Sequence, residues 1–237
     1  MPAERLEVEN LSAGYGPTHI IEDLSFSLKA GEKLSILGRN GMGKTTLLAT
    51  LAGQTRRYGG AIRIGGHDIS TTSSTGRARL GLGYVPQTRD VFRSLTVEEN
   101  LQVGLKDRPR EAISEAYEMF PRLKERRKNL GSQLSGGEQQ MLSTARSILG
   151  KPSVILLDEP LEGLAPVICE ELMVALAGLA DTRAMTIVLV EQRIQSALDF
   201  ADRAIVLERG RIAWEGAPVA LAADRDTIDR LLGVGHI

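Results

Sequence analysis

Gly38 to Thr45 reads GRNGMGKT. A glycine-rich stretch closed by a lysine and a hydroxyl residue is the pattern G-x-x-x-x-G-K-[ST], and its chemistry is phosphate binding. Glycines let successive backbone N–H groups turn inward around phosphate oxygens, and a helix that follows adds the positive end of its dipole. Lys44 would reach the β- and γ-phosphates and the Thr45 hydroxyl would meet Mg2+, while Gly38, Arg39, Asn40, Gly41, Met42, Gly43 and Thr46 complete the cradle. A second reactive pair follows four consecutive aliphatics, Val154 to Leu157. Asp158 and Glu159 then stand at the carboxyl edge of a buried strand, where α/β sheets bind their ligands. Asp158 suits the sphere of a hard cation that keeps several waters. Glu159 suits a general base that polarises an attacking water.

The elements that must position these groups are legible from periodicity. Leu6 and Val8 alternate with charged neighbours, as do Leu24, Phe26 and Leu28, which predicts half-buried antiparallel strands. Leu34 to Leu37 is a short apolar strand running into the phosphate loop, and a helix spans about Lys44 to Ala52. A second antiparallel patch covers 61–69, turning at Gly65-Gly66, and Gly83 to Pro86 is another short strand. Thr96 with Glu99 forms a capping box that opens a helix. The segment 110–128 carries apolar positions at helical spacing, and a further helix begins near Gly137. Buried strands return at 153–158, 185–190 and 203–208, with a helix at about 167–180 after Pro166. Buried strands alternating with helices predict an α/β fold, its parallel sheet covered by helices on both faces. We expect one domain over 1–237. Its regions 1–95 and 151–237 would form the nucleotide-binding core with an antiparallel β subdomain, and 96–150 an inserted helical subdomain.

Composition narrows the partners. The 237 residues carry 29 Lys plus Arg against 30 Asp plus Glu, so the net charge is −1, a poor basis for a protein that coats nucleic acid. The single cysteine, Cys169, excludes an internal disulfide and a Cys-cluster zinc site, and a small buried side chain is the favoured reading. His19, His67 and His236 lack metal-ligand spacing. The longest apolar runs, SVILL at 153–157 and IVLV at 187–190, are far shorter than the roughly 20 residues of a membrane span. The basic run Lys124 to Lys128 reads as a solvated helix face.

Leu134 to Gln140 reads LSGGEQQ, physically a Ser-Gly-Gly turn at a helix N-terminus. Taken with GRNGMGKT and VILLDE in this order, it resembles the ATP-binding subunits of ATP-binding-cassette (ABC) transporters over essentially the whole chain. The resemblance implies a P-loop NTPase core, ATP and Mg2+, and two half-sites per chain. Tyr15, in SAGYG, would stack on adenine. Gln87, in YVPQ, would sense Mg2+ and water and link to a transmembrane partner. Ser135, Gly136, Gly137 and Glu138 would act on ATP held by an opposite subunit, and Glu162 to Ala165 would pass between the two subunits. Many members place histidine at the switch position after the strand 186–190, whereas LVEQR puts Gln192 there. Gln192 can hydrogen-bond a γ-phosphate but cannot become cationic.

The combination LVEQ, EGLAP, FPRLKERR and LTVEENL is similar to ATPases of the LivF type, which serve branched-chain amino-acid importers, with relatives that serve urea and short amides. The partners implied are a second ATPase subunit, identical or paralogous, two permease subunits and, indirectly, a solute-binding protein, with no nucleic acid. The implied location is peripheral, on the cytoplasmic face of the inner or plasma membrane. Val91, Phe92 and Leu95 would help form a groove for the permease. Two competing readings have less support: a soluble ABC ATPase acting on DNA or ribosomes, and a P-loop kinase. The first usually carries a coiled coil or a second cassette, and the second has no use for LSGGEQQ.

Overall fold

The apolar alternation of the N-terminal segment folds into β1 (Leu6–Tyr15) and β2 (Thr18–Leu28), paired antiparallel with Leu6 opposite Leu28 and Val8 opposite Phe26. The structure is a computed structural model and describes residues 1–181 and 185–233, so His236 lies outside the described residues. A strict period of two would bury Asn10 after Leu6 and Val8. Instead Leu11 and Ala13 are buried, because an irregularity between Val8 and Leu11 shifts the register and Asn10 takes φ +47°.

The strand β3 (Lys33–Leu37) leads through the phosphate loop into α1 (Lys44–Leu51). Next come β4 (Arg56–Ile64) and β5 (His67–Asp68), which turn at Gly65-Gly66 as expected, then α2 (Ser74–Arg79) and β6 (Leu82–Val85). The helical stretch holds α3 (Val97–Gly104), α4 (Ile113–Met119), α5 (Pro121–Glu125) and α6 (Gly136–Leu149). The chain then alternates β7 (Val154–Asp158), α7 (Pro166–Asp181), β8 (Thr186–Val190), α8 (Ile194–Phe200) and β9 (Arg203–Glu208). It closes with β10 (Arg211–Gly216), α9 (Pro218–Ala223) and α10 (Arg225–Leu232).

Two sheets result. One is antiparallel in the order β2-β1-β4-β5; the other has six strands in the order β10-β9-β3-β8-β7-β6. The larger sheet is parallel from β9 to β6, and only its edge strand β10 runs antiparallel. Its central strands β3, β7 and β8 are buried on both faces. In β7, Val154 and Leu156 pack with β1, β2 and α1, while Ile155 and Leu157 pack with α3, α6 and α7. Val188 and Val190 of β8 follow the first set, and Ile187 and Leu189 the second. A third apolar cluster joins Ala204 and Val206 of β9 to α8, α9 and α10.

The capping box at Thr96 is present: Glu99 N–H donates to Thr96 Oγ1 at 3.2 Å, and Thr96 N–H to Glu99 Oε2 at 2.7 Å. The expected helical stretch 110–128 is divided. A 3-10 turn (Arg110–Ala112), α4 and α5 replace one helix, and the break falls at Phe120, φ −132° and ψ 84°. Pro121 causes it, since the residue before proline is driven out of the helical region. No described helix is long and apolar enough to cross a membrane.

Glycine binds the two sheets together at one point. Gly210, in the β9–β10 turn, has φ +77° and donates its N–H to Met42 O at 3.0 Å, while its carbonyl accepts from Glu22 N–H at 3.1 Å. A Cβ at Gly210 would stand 1.8 Å from Ile20 O, so no other residue fits. The phosphate loop is thereby pinned to β2.

Candidate nucleotide-binding site

The loop between β3 and α1 carries the phosphate pattern. Gly43 caps α1 in the left-handed region at φ +101°, a conformation that glycine adopts without strain. The first residue of α1 is Lys44, 4% exposed. Its Nζ donates to the carbonyls of Gly38 at 2.8 Å and Arg39 at 3.2 Å, and stands 3.5 Å from Glu159 Oε1. Thr45 Oγ1 donates to Asp158 Oδ1 at 3.2 Å. The phosphate loop and the acidic strand end are therefore one site, as their types and order predict. Arg39, Asn40 and Gly41 lie on its exposed rim, Met42 is half-buried, and Thr46 is buried within α1.

Both carboxylates are buried, and their partners separate them: hydroxyls on Asp158, a lysine and two amides on Glu159. Asp158 is fully buried at the end of β7, and burial pushes its pKa up to about 6, against the hydrogen bonds of Thr45 and Tyr84. Tyr84 Oη donates to Asp158 Oδ2 at 3.4 Å. Burial, and after it the charge of Asp158, raises the Tyr84 phenol above its ordinary value. Glu159 lies just beyond β7 with φ +48°, an uncommon backbone for a non-glycine residue, held by its N–H on Val190 O at 2.9 Å. Its Oε2 accepts from Gln192 Nε2 at 2.5 Å and from Gln87 Nε2 at 3.2 Å. Gln87 is thus brought to Glu159 and also to Glu162 Oε2 at 2.5 Å.

Tyr15 ends β1 with half its surface exposed, as a stacking platform requires. The turn that carries it is held by Tyr58, whose hydroxyl donates to Gly16 O at 2.7 Å and Thr18 O at 3.3 Å. Ser135 to Glu138 stand elsewhere, at the start of α6. Glu138 N–H donates to Ser135 Oγ at 3.3 Å and Ser135 N–H to Glu138 Oε2 at 2.8 Å, a reciprocal cap. Among the described residues no hydrogen bond or ion pair joins this turn to the phosphate loop of the same chain.

Three contributors escape the sequence patterns. Tyr84 is an ordinary strand aromatic in the sequence. Glu191 is 2% exposed, and its carboxylate accepts from the N–H groups of Leu161 at 2.8 Å and Gln192 at 3.0 Å. Burial raises its pKa in opposition to those backbone bonds. It follows four consecutive aliphatics at 187–190, the signal that marked Asp158. Arg89 carries no signal beyond lying two residues after Gln87. Cys169 is buried as expected, with Sγ 3.8 Å from the carbonyls of Leu161 and Leu164. Residues Lys124 to Lys128 are exposed, as a solvated face requires.

Residues 21–162 match the profile of the family described as ABC transporter. The chain is 40% identical over 232 residues to the high-affinity branched-chain amino acid transport ATP-binding protein BraG of Pseudomonas aeruginosa, covering 96% of this chain and 99% of that protein. It is 34% identical over 235 residues to the lipopolysaccharide export system ATP-binding protein LptB of Haemophilus influenzae, covering 96% and 97%. Among solved structures, a dimeric ATP-binding cassette in a post-hydrolysis state with ADP and Pi superposes with a TM-score of 0.81 at 25% identity, covering 90% of this chain and 98% of that one.

Proposed function

The chain belongs to the ABC transporter family, and on that premise we propose that it is the ATP-hydrolysing subunit of a membrane importer for branched-chain or other small amino acids. The observation that carries the catalytic part is the meeting of Lys44, Gln87 and Gln192 on the single carboxylate of Glu159. A lysine from a phosphate loop and two amides on one buried carboxylate form a group that can orient a water against a γ-phosphate.

ATP would lie along residues 38–46 with its base on Tyr15. Lys44 would exchange the Gly38 and Arg39 carbonyls and Glu159 for phosphate oxygens, leaving Glu159 Oε1 free to take a proton from the attacking water. Gln87 and Gln192 would hold Oε2 meanwhile. Gln192 serves as a neutral hydrogen-bond donor, so the switch works without a histidine charge. Thr45 Oγ1 and Asp158 Oδ1 fit Mg2+: both are hard oxygen donors, and among the described residues the buried carboxylate has only the Thr45 and Tyr84 hydroxyls at hydrogen-bond distance. When bound, the ion would neutralise charge shared between the β- and γ-phosphates.

Ser135, Gly136, Gly137 and Glu138 stand apart from their own phosphate loop, which supports action on ATP held by a second ATPase subunit. ATP would then bridge the two subunits only in the closed pair, and hydrolysis would release them. For the permease contact, a groove of about 270 Å3 is lined by Phe92 of the three residues expected there, with Tyr84, Val103 and Lys106, while Val91 and Leu95 lie outside its lining. Phe92 is 47% exposed there, and the Arg146 guanidinium sits 4.8 Å from its ring centroid. With two permease subunits and a solute-binding protein, the chain would work peripherally at the cytoplasmic membrane face.

A second reading, export, is favoured by the 34% identity to an export-system subunit; the 40% identity to BraG favours import. Gentle purification of the tagged chain from native membranes separates them. Recovery of two polytopic proteins, a second ATPase and a solute-binding protein supports import. Polytopic proteins with lipid-export components overturn the direction and keep the ATPase. Ribosomal or nucleic-acid proteins alone overturn transport.

A further inference from the structure

Arg89 sits in a tight turn, φ +55°, its N–H 3.4 Å from Pro86 O. Its Nη2 donates to the backbone carbonyl of Glu162 at 3.0 Å. A Cβ built on Gly136 would stand 2.4 Å from Arg89 Nη1, and one built on Gly163 would stand 3.3 Å from Nη2. The guanidinium therefore rests directly on two glycines 27 positions apart in the chain (163 − 136). Gly136 opens α6, and Gly163 turns the segment after Glu159 with φ +63°. Any side chain at Gly136 would displace the guanidinium.

Placement beside the first turn of α6 gains Arg89 nothing from the helix dipole, whose positive end lies there. The bond to Glu162 is what holds it. Glu162 is gripped twice from the same loop, by Gln87 on its carboxylate and by Arg89 on its carbonyl. Glu191, from the end of β8, holds the preceding N–H, that of Leu161.

We propose that Arg89 is a positioning residue that locks the Glu162–Gly163 turn onto the first turn of α6, so that these two turns and the Gln87 loop move as one body. A displacement of the Gln87 loop then reaches Ser135–Gly137 through a guanidinium, without passing through bound nucleotide. The planar fork reaches both turns at once, which a lysine ammonium on a flexible stem cannot do. The inference rests on the ATPase reading only for its second readout.

The first readout is amide hydrogen exchange in the purified full chain without nucleotide, compared among wild type, Arg89→Ala and Arg89→Lys. The amides to follow are those of Glu162 and Leu164, bonded to Glu159 O and Leu161 O, and those of Glu138 and Gln139, bonded to Ser135. Loss of the charge-assisted bond to Glu162 predicts about tenfold faster exchange at Glu162 and Leu164 of Arg89→Ala, and loss of the guanidinium packed on Gly136 predicts a smaller acceleration at Glu138 and Gln139. The amides of β7 stay unchanged, and Arg89→Lys restores one segment at most. Unchanged exchange in either segment of Arg89→Ala overturns the proposal. So does full restoration by lysine, or a rise across the whole chain, which would mark a general structural role. The second readout is hydrolysis: Arg89→Ala lowers kcat about tenfold with the ATP Kd unmoved. If wild type hydrolyses no ATP the functional reading fails, and the exchange result still decides the role of Arg89.

Discussion

The side-chain amide of Gln192 donates to Oε2 of Glu159 at 2.5 Å, while the other oxygen of that carboxylate faces Lys44. The carboxylate is thus oriented by a neutral amide, with no cationic group on Oε2 among the described residues. Gln192→Ala removes one of the two amides on Oε2 and should lower kcat about tenfold. Gln192→His should add a second ionisation between about pH 5 and 8, on top of the limb that Asp158 gives wild type near pH 6. Steady-state hydrolysis across that range reads both.

Glu159→Gln keeps the shape and removes the proton acceptor. Hydrolysis should fall by about 10²–10⁴, with ATP still bound and a dimer accumulating on a sizing column. A normal rate would show that Glu159 is not the base.

Lys44→Ala should raise the ATP Kd at least about tenfold, since it removes the cation on the phosphates. It also strips Glu159, 7% exposed, of its ion-pair partner, and an uncompensated buried charge destabilises. The double variant Lys44→Ala/Glu159→Gln should therefore melt higher than Lys44→Ala alone. Equal melting temperatures would show that the pair carries no stability.

Asp158 predicts a pH dependence. Burial raises its pKa to about 6, so the folded chain binds this proton more tightly than the unfolded chain, whose aspartate titrates near about 4. The group favours folding below the unfolded value, and that contribution is lost as pH rises through 6. Asp158→Asn should then raise the melting temperature of the nucleotide-free chain at pH 7.5, with the gain shrinking as pH falls from 6 towards 4. Mg2+ needs the ionised form, so the affinity for Mg2+–ATP should weaken below pH 6, and a chelator should abolish turnover. Titration calorimetry at pH 5.5 and 7.5 measures the first effect.

Glu191→Gln would turn an N–H2 towards at least one of the backbone N–H groups that the carboxylate now accepts. We expect kcat to drop about tenfold with ATP binding retained, because only the Glu162 turn and the Gln192 loop lose their anchor. A parallel loss of ATP affinity would assign Glu191 to nucleotide binding instead.

The sequence made the phosphate loop and the Asp158–Glu159 pair legible because each is a local pattern with its own strand. The same holds for the antiparallel and parallel strands, whose periods differ. Other features depend on tertiary contact. Pro121 announced the break at Phe120, yet the surrounding helical spacing masked it. Strand β10 pairs at a sheet edge with every other residue exposed, and helices α2, α8, α9 and α10 are short, so none produced a long periodic run. Arg89 and Tyr84 gain their roles from residues 73 and 74 positions away (162 − 89 and 158 − 84), a separation that no local spacing encodes.

Gly210 sets a different kind of limit. Its bare α-carbon lets β2, which is continuous with the turn carrying Tyr15, lie against the strand connection behind the phosphate loop. A side chain there would wedge the two sheets apart without touching Lys44, Asp158 or Glu159. The damage would travel along both bonds of Gly210, to Met42 in the phosphate loop and to Glu22 in the strand behind Tyr15, so the grip on the phosphates and the seat of the base would loosen together with every catalytic side chain still in place.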